Sequence, residues 1–352
     1  MTPLAEQLMS GPRGRQLCLL AACFADRGVS EASQRIGVRL DSGVDGGWYA
    51  PGGIGINPGS EDLVSTLVAT LAAVEAIDDH WIHLALESIV EQAMYWQEPH
   101  DIVASRPEPA VGLRRIAEIV AVAPVTQWWT AGIDRAQFAV WMGGRSEGIV
   151  LRKASEHLDV WRAGVVRDEV TAARERPSDP RARYGGIWWS RPPYSLPRTC
   201  SEQAGVPTGL YLIEDGFGET RAAVDRVRAS GRVFEIDSAA AWAELCRRYP
   251  LDVTASKRHD WYRTTGLADT RWVMPDWAAV AEEYDAVHLQ VGAYLAASGT
   301  AIEVEPGVHS VIAGWAPGDT FWLTDVVEVE PRGRVFVKDQ GDDLWHAVEE
   351  TA

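Results

Sequence analysis

Lysine is nearly absent from this chain. Only Lys153, Lys257 and Lys338 occur, within 33 Lys+Arg against 50 Asp+Glu and a formal net charge of −17. A chain so acidic lacks the basic face that neutralises nucleic-acid phosphates, so nucleic acid is not the expected partner. The excess of arginine over lysine reads as the mark of a GC-rich genome. Cysteine is scarce too: Cys18, Cys23, Cys200 and Cys246 form no Cys-x-x-Cys pair. That spacing excludes a zinc knuckle and leaves free thiols in a reducing compartment as the expectation. No apolar run approaches the roughly 20 residues of a membrane span. Leu63–Ile77 is interrupted and reads as a core helix, and Leu17–Phe24 is too short and too late for a secretory signal. The expected location is the cytoplasm. Gly-x-Ser-x-Gly, His-Glu-x-x-His and calcium-loop patterns are missing as well.

What is present is ordinary globular material: 352 residues, 46% hydrophobic and 24% charged. Length alone argues for two domains. The first half reads as helices. The stripe Leu4, Leu8, Leu17, Leu20, Phe24 is broken near Gly11–Gly14. A helix capped by Ser60 follows, then helices over Asp79–Glu98, Pro109–Val122, Trp128–Trp141 and Glu147–Arg176. Arg174–Arg183, charged and with two prolines, is the best boundary in the chain. Short β-type runs dominate after it: Ile187–Trp189, Gly209–Ile213, Arg232–Ile236, Arg271–Met274, Ala286–Leu289, Ala301–Val304, Ser310–Ala313, Phe321–Val329 and Arg334–Val337. Helices begin at Ser238 and Asp276. The strand spacing is irregular, with no βαβ repeat. The expectation is an α+β protein: a mainly helical domain over 1–176, then an α+β domain over 181–352 with a largely antiparallel or mixed sheet.

Several stretches carry chemistry. The glycine-rich segment Asp41–Gly59 lacks the ordered pattern of a phosphate loop and reads as a connection. His80 and His83, beside Asp78, Asp79 and Glu87, read as a solvated helix start, so no metal site is expected. Ile187-Trp188-Trp189-Ser190-Arg191-Pro192-Pro193 places two indoles on opposite faces of a strand before a rigid corner. Trp189 and Ser190, with Arg198 further on, can hold a flat ring and bond its polar edge; equally, both indoles can simply pack. Ser256–Gly266 is a basic, aromatic island in an acidic chain. It offers proton-transfer candidates in His259, Asp260 and Tyr262 and anion contacts in Lys257, Arg258 and Arg263. A loop salt-bridged to acidic neighbours would carry the same residues. His288 lies on a strand, where a histidine is more often a core group than a catalyst.

The stretches Gly186–Pro193, Asp252–Gly266, Pro275–Leu289 and Gly314–Leu323 resemble a group of high-GC actinobacterial proteins, a likeness that implies no activity. Arg191-Pro192-Pro193 and the late Glu328-Val329-Glu330 are similar to motifs of ADP-ribosyltransferase toxins. That resemblance implies NAD as the nucleotide and Glu330 as the residue that orients the acceptor. Trp188 or Ile187 stands where those proteins carry an arginine, and Glu303-Val304-Glu305 repeats the second motif. The leading expectation is a cytosolic enzyme for a nucleotide-like or other anionic aromatic small molecule, with ADP-ribosyl or glycosyl transfer as the reaction class. Its catalytic residues would be His259, Asp260 and Glu330. Its ligand contacts would be Trp189, Ser190, Arg198, Arg258, Tyr262, Arg263 and His288. The alternative is a non-catalytic binding protein whose 16 tryptophans include a partner-binding patch.

Overall fold

A computed structural model describes residues 2–41, 61–93, 103–143, 153–214, 216, 218–339, 341 and 344–348. The glycine-rich segment and the Ser60 cap lie outside them. No described helix is long and apolar enough to cross a membrane.

The first half is helical, as its periodicity demands. α1 (Pro3–Ser10) starts with proline after Thr2, whose Oγ1 accepts the Ala5 N–H. α2 (Pro12–Ala25), α3 (Arg27–Asp41), α4 (Glu61–Ala73), α5 (Asp79–Glu91) and α6 (Ala110–Val122) follow. Their apolar stripes are buried: Leu17 and Ala21 of α2, Leu67 and Leu71 of α4, Ile82 and Ile89 of α5, Leu113 and Val120 of α6. Each such leucine or isoleucine gains ~2 kcal/mol by leaving water.

Trp128–Trp141, expected as a helix, is not one. After a short turn at Pro124–Thr126 the chain enters strand β1 (Gln137–Met142). Phe138, Ala139, Val140 and Trp141 suit either period, and the partner strand decides between them. α7 (Ala154–Glu175) then leads into the second half.

That half is built from short strands: β2 (Arg198–Thr199), β3 (Glu202–Gln203), β4 (Val206–Pro207), β5 (Arg221–Ala229) and β6 (Val233–Ile236). α8 (Ala239–Arg248), β7 (Pro250–Asp252), α9 (Thr254–Thr265), β8 (Arg271–Pro275), α10 (Trp277–Val280) and β9 (Ala286–Leu289) come next. α11 (Val291–Ala297), β10 (Ile302–Glu305), β11 (Val308–Ser310), β12 (Thr320–Trp322), β13 (Val327–Lys338) and β14 (Trp345–Val348) complete it. One antiparallel sheet has the order β1-β5-β13-β14; two mixed sheets run β10-β11-β8-β7 and β2-β12-β9-β6. In the last, β6 and β9 are parallel, and Glu235 lies beside His288. The class is therefore α+β with mixed and antiparallel sheets.

Gly186–Trp189 is extended but forms no ladder. Ser190 N–H donates to Ala313 O, while Gly186, Ile187 and Trp188 bond side chains rather than another strand. Gly209–Ile213 is likewise not a strand, since residues 208–210 form a single 3-10 turn.

The core is tryptophan-rich. Trp242, Trp277, Trp315 and Phe321 pack edge-on or tilted, with centroids 5.5 to 6.3 Å apart. One apolar cluster runs from Leu4 to Trp345 through both halves. A smaller one gathers Trp261, Trp272, Met274 and Val311. α1 and α2 both touch α11. At their corner a Cβ on Gly11 would come within 2.2 Å of Ala296 O, so only glycine fits.

Candidate functional site

The Gly186–Pro193 segment runs between two polar clusters. The first is the basic island, which is the helix α9 and not a loop. Its N-terminus is capped from α7: Glu169 accepts the N–H groups of Ala255 and Ser256 at 2.7 and 2.8 Å. Lys257 is buried, donates from Nζ to Ile187 O at 2.7 Å, and lies 5.5 Å from the Trp261 ring. Burial pushes its ammonium down to about 7. Trp261 Nε1 donates to Trp188 O at 2.9 Å. Asp260 accepts the Gly186 N–H at 3.0 Å and pairs with Arg263. Its carboxyl is raised by burial, against the pull of Arg263. Arg176 donates to Ser256 O at 2.6 Å and to Asp168 at 2.7 Å.

The bonds from Asp260, Lys257 and Trp261 tie α9 to the chain crossing over it. His259 belongs to the same clamp: it is buried, its Nδ1 lies 3.3 Å from Pro180 O, and its ring is 5.6 Å from Tyr184. Burial lowers the imidazole below its ordinary range. Arg258 donates to Ser178 O, and Tyr262 lies under the Arg181 guanidinium. Most of the island's polar groups are used internally, although His259 Nε2 and Arg263 Nε are buried with no partner among the described residues.

The second cluster surrounds the end of the same segment. Ser190 is wholly buried and fully engaged. Its Oγ accepts the Ala313 N–H at 2.9 Å, and its carbonyl accepts Trp277 Nε1 at 3.1 Å. It is a structural bolt rather than a ligand contact. Arg191 next to it is only 4% exposed. Nη1 donates to Pro192 O at 2.7 Å, while Nε and Nη2 have no hydrogen-bond partner. The guanidinium lies on the Tyr194 ring and 4.6 Å from the Trp189 centroid. Both rings reach solvent, Trp189 at 38% and Tyr194 at 58% exposure. Burial lowers this arginine to about 10. Trp189 keeps its place because Gly314, in the left-handed region at φ 72°, leaves it room; a Cβ there would sit 2.3 Å from the indole.

Arg198 at the edge of the β2-β12-β9-β6 sheet pairs with buried Asp319 at 3.3 Å. Asp319 holds Arg198 above the usual guanidinium range. Burial raises Asp319 to about 6, against the pull of Arg198, His288 and Arg191. His288 Nδ1 is 2.7 Å from Glu235 Oε2, and Glu235 Oε1 accepts the Ile133 N–H at 2.9 Å. Burial would raise Glu235, but the His288 contact, the Ile133 amide and Gln290 hold it below the usual carboxylate range. Glu214 joins from the far side, accepting the Tyr294 hydroxyl at 2.8 Å.

The expected residues thus divide. Trp189, Arg198 and His288 fall in the second cluster. His259, Asp260, Arg258, Tyr262 and Arg263 fall in the clamp. Glu330 belongs to neither: it lies on β13 in another sheet, and its carboxylate pairs with Arg228. His259 and Asp260 lie in the clamp, away from the other titratable cluster, which is formed by His288, Glu235 and Asp319. These last two, with Arg191 and Glu214, were missed. The available signal was a single ion inside an apolar run, as in Val233-Phe234-Glu235-Ile236 and Gly318-Asp319-Thr320-Phe321.

Among the described residues, no group of His, Cys, Asp and Glu side chains is placed to hold a metal. Chemically, the second cluster offers two guanidinium groups, two exposed rings and a carboxyl that titrates near pH 6 beside a carboxylate-bound imidazole. No protein family, curated protein or solved structure matches the chain.

Proposed function

We propose that the protein is an enzyme acting on a nucleotide-like or other anionic aromatic small molecule, bound where Trp189, Tyr194, Arg191 and Arg198 meet. The observation that carries this reading is Arg191. A buried guanidinium with two nitrogens unpartnered costs stability unless it is kept for a partner, and a phosphate or carboxylate supplies one. Tyr194 lies over it and would swing aside; Trp189 gives the flat ring a face to stack on. Asp319 and the His288–Glu235 pair are the proton-transfer groups, because their environments set them apart within one cluster. NAD fits the donor set through its phosphates and aromatic ring. Transfer of a glycosyl or ADP-ribosyl group is the reaction class that would use these acids, though without Glu330. The free thiols, three of them buried, accord with a cytoplasmic location.

The test is a thermal-shift series with NAD, AMP and sugar phosphates at millimolar concentration, on the native protein and on Arg191→Met. Native protein should be stabilised by at least one nucleotide, and the variant should not. No stabilisation by any of them would reject the reading. A second reading is favoured by one observation: Tyr184, Ile187, Trp189 and Tyr194 are all exposed along one stretch of chain. A non-catalytic protein-binding surface would have this form. Co-purification of a partner that is lost with Ile187→Asp, without any nucleotide response, would decide for it.

A further inference from the structure

Beyond the ends of the parallel strands β6 and β9 the chain turns into α8 and α11, and there a crevice of about 490 Å³ opens. The space outside the carboxyl ends of parallel strands is where ligands commonly bind. Its walls are mixed: Thr2, Gln7, Thr130, Asp237, Ser238 and Gln290 supply polar groups beside apolar Pro3, Leu4 and Ala121. Gln290 is the buried member at 7% exposure; its Nε2 lies 3.4 Å from Glu235, and its Oε1 accepts no hydrogen bond.

The charge and hydrogen-bond pattern narrows the occupant. Helix N-termini attract anions, but Thr2 and Ser238 already cap α1 and α8 by accepting the Ala5 and Ala241 N–H groups. The Asp237 carboxylate stands against any further anion. The positive ends of the same two helices stand against a cation. Left over are hydroxyls, an amide oxygen and one carboxylate, which takes Ser238 Oγ–H on Oδ1 at 2.8 Å. That set matches a neutral molecule with several hydroxyl groups, and the volume suits a small one.

We propose that this crevice binds a neutral polyhydroxylated group, either a free monosaccharide or the sugar of a larger molecule. Asp237 and the Gln290 amide oxygen accept its hydroxyls. Binding in this crevice does not depend on the nucleotide site at Arg191. Through Gln290 the crevice also touches Glu235, so an occupant would reach the His288 pair.

Saturation-transfer NMR tests this with D-ribose and with AMP, on native protein, Asp237→Asn and Arg191→Met. Ribose should receive saturation from the native protein and bind about tenfold more weakly to Asp237→Asn, the loss of a charge-assisted hydrogen bond. Retained ribose binding in Arg191→Met would support a free-sugar site separate from the nucleotide site. Ribose silent while the AMP ribose protons respond, and respond less in Asp237→Asn, would support the sugar of a larger molecule. No response from either sugar, equal response in Asp237→Asn, or displacement of ribose by inorganic phosphate would overturn the proposal.

Discussion

The two polar clusters beside Gly186–Pro193 contain nearly the same residue types. Each mixes arginines, buried aspartate, histidine and tryptophan. At α9, Asp260, Lys257 and Trp261 each bond backbone of the passing segment. At the other end, Arg191 keeps two nitrogens without a partner, and Asp319 sits poised near neutrality. Composition alone makes them equivalent. Counting where each donor and acceptor goes sets the clamp, where two buried nitrogens of His259 and Arg263 lack partners among many satisfied groups, against the proposed binding site, where a single guanidinium keeps two.

The largest test of that contrast is Asp260→Ala. It strips Gly186 N–H and Arg263 of their acceptor and should cost about 3–5 kcal/mol in urea unfolding. Nucleotide response of the folded fraction should persist. Full stability in this variant would break the contrast. Next is Arg191→Met: calorimetric affinity for AMP should fall about tenfold to a hundredfold while stability holds or rises, since unpaired buried donors are removed. A collapse of stability there would make Arg191 a second clamp.

Much of the first half was legible because α4, α5 and α6 carry strong apolar stripes, and Asp78 caps α5. The α+β class followed from the change of texture after Arg183. β5 was not legible: Arg221-Ala222-Ala223-Val224-Asp225-Arg226 lacks clean alternation, and pairing with β1 and β13 imposes the strand. α9 was hidden because its buried face carries Lys257, His259 and Asp260, ions that a local reading assigns to solvent. Trp189, Arg198 and His288 could be found by type. Asp319, Glu235 and Glu214 could not, because their significance depends on partners far along the chain.

A third measurement sharpens the clamp. Lys257 titrates near 7 when folded and at its ordinary value of 10.5 when unfolded. Between these values the unfolded chain binds the extra proton, so stability rises with pH, by at most ~1.4 kcal/mol per unit. Urea unfolding from pH 7 to 9 should show this rise in the native protein and lose it in Lys257→Met. On the other side, Asp319 should gain its charge as pH passes about 6, weakening the hold on an anion. AMP affinity measured across pH 5 to 7.5 should show that inflection, and Asp319→Asn should flatten it. The smallest effect belongs to Glu330→Gln. Losing a surface pair with Arg228 should cost about 0–1 kcal/mol and leave nucleotide response unchanged. A large loss of response would restore that residue to the mechanism.

The Gly11 corner has a consequence for how the chain is made. α1 and α2 rest on α11, which leaves the ribosome more than 260 residues after α2. These two helices therefore wait for a surface made much later. At about 5–20 residues per second that interval is tens of seconds. Nascent chains halted before Val291 should stay open to protease across α1 and α2, and chains halted well beyond Ala297 should resist it. Two helices of this fold are completed by a third made far later in the chain.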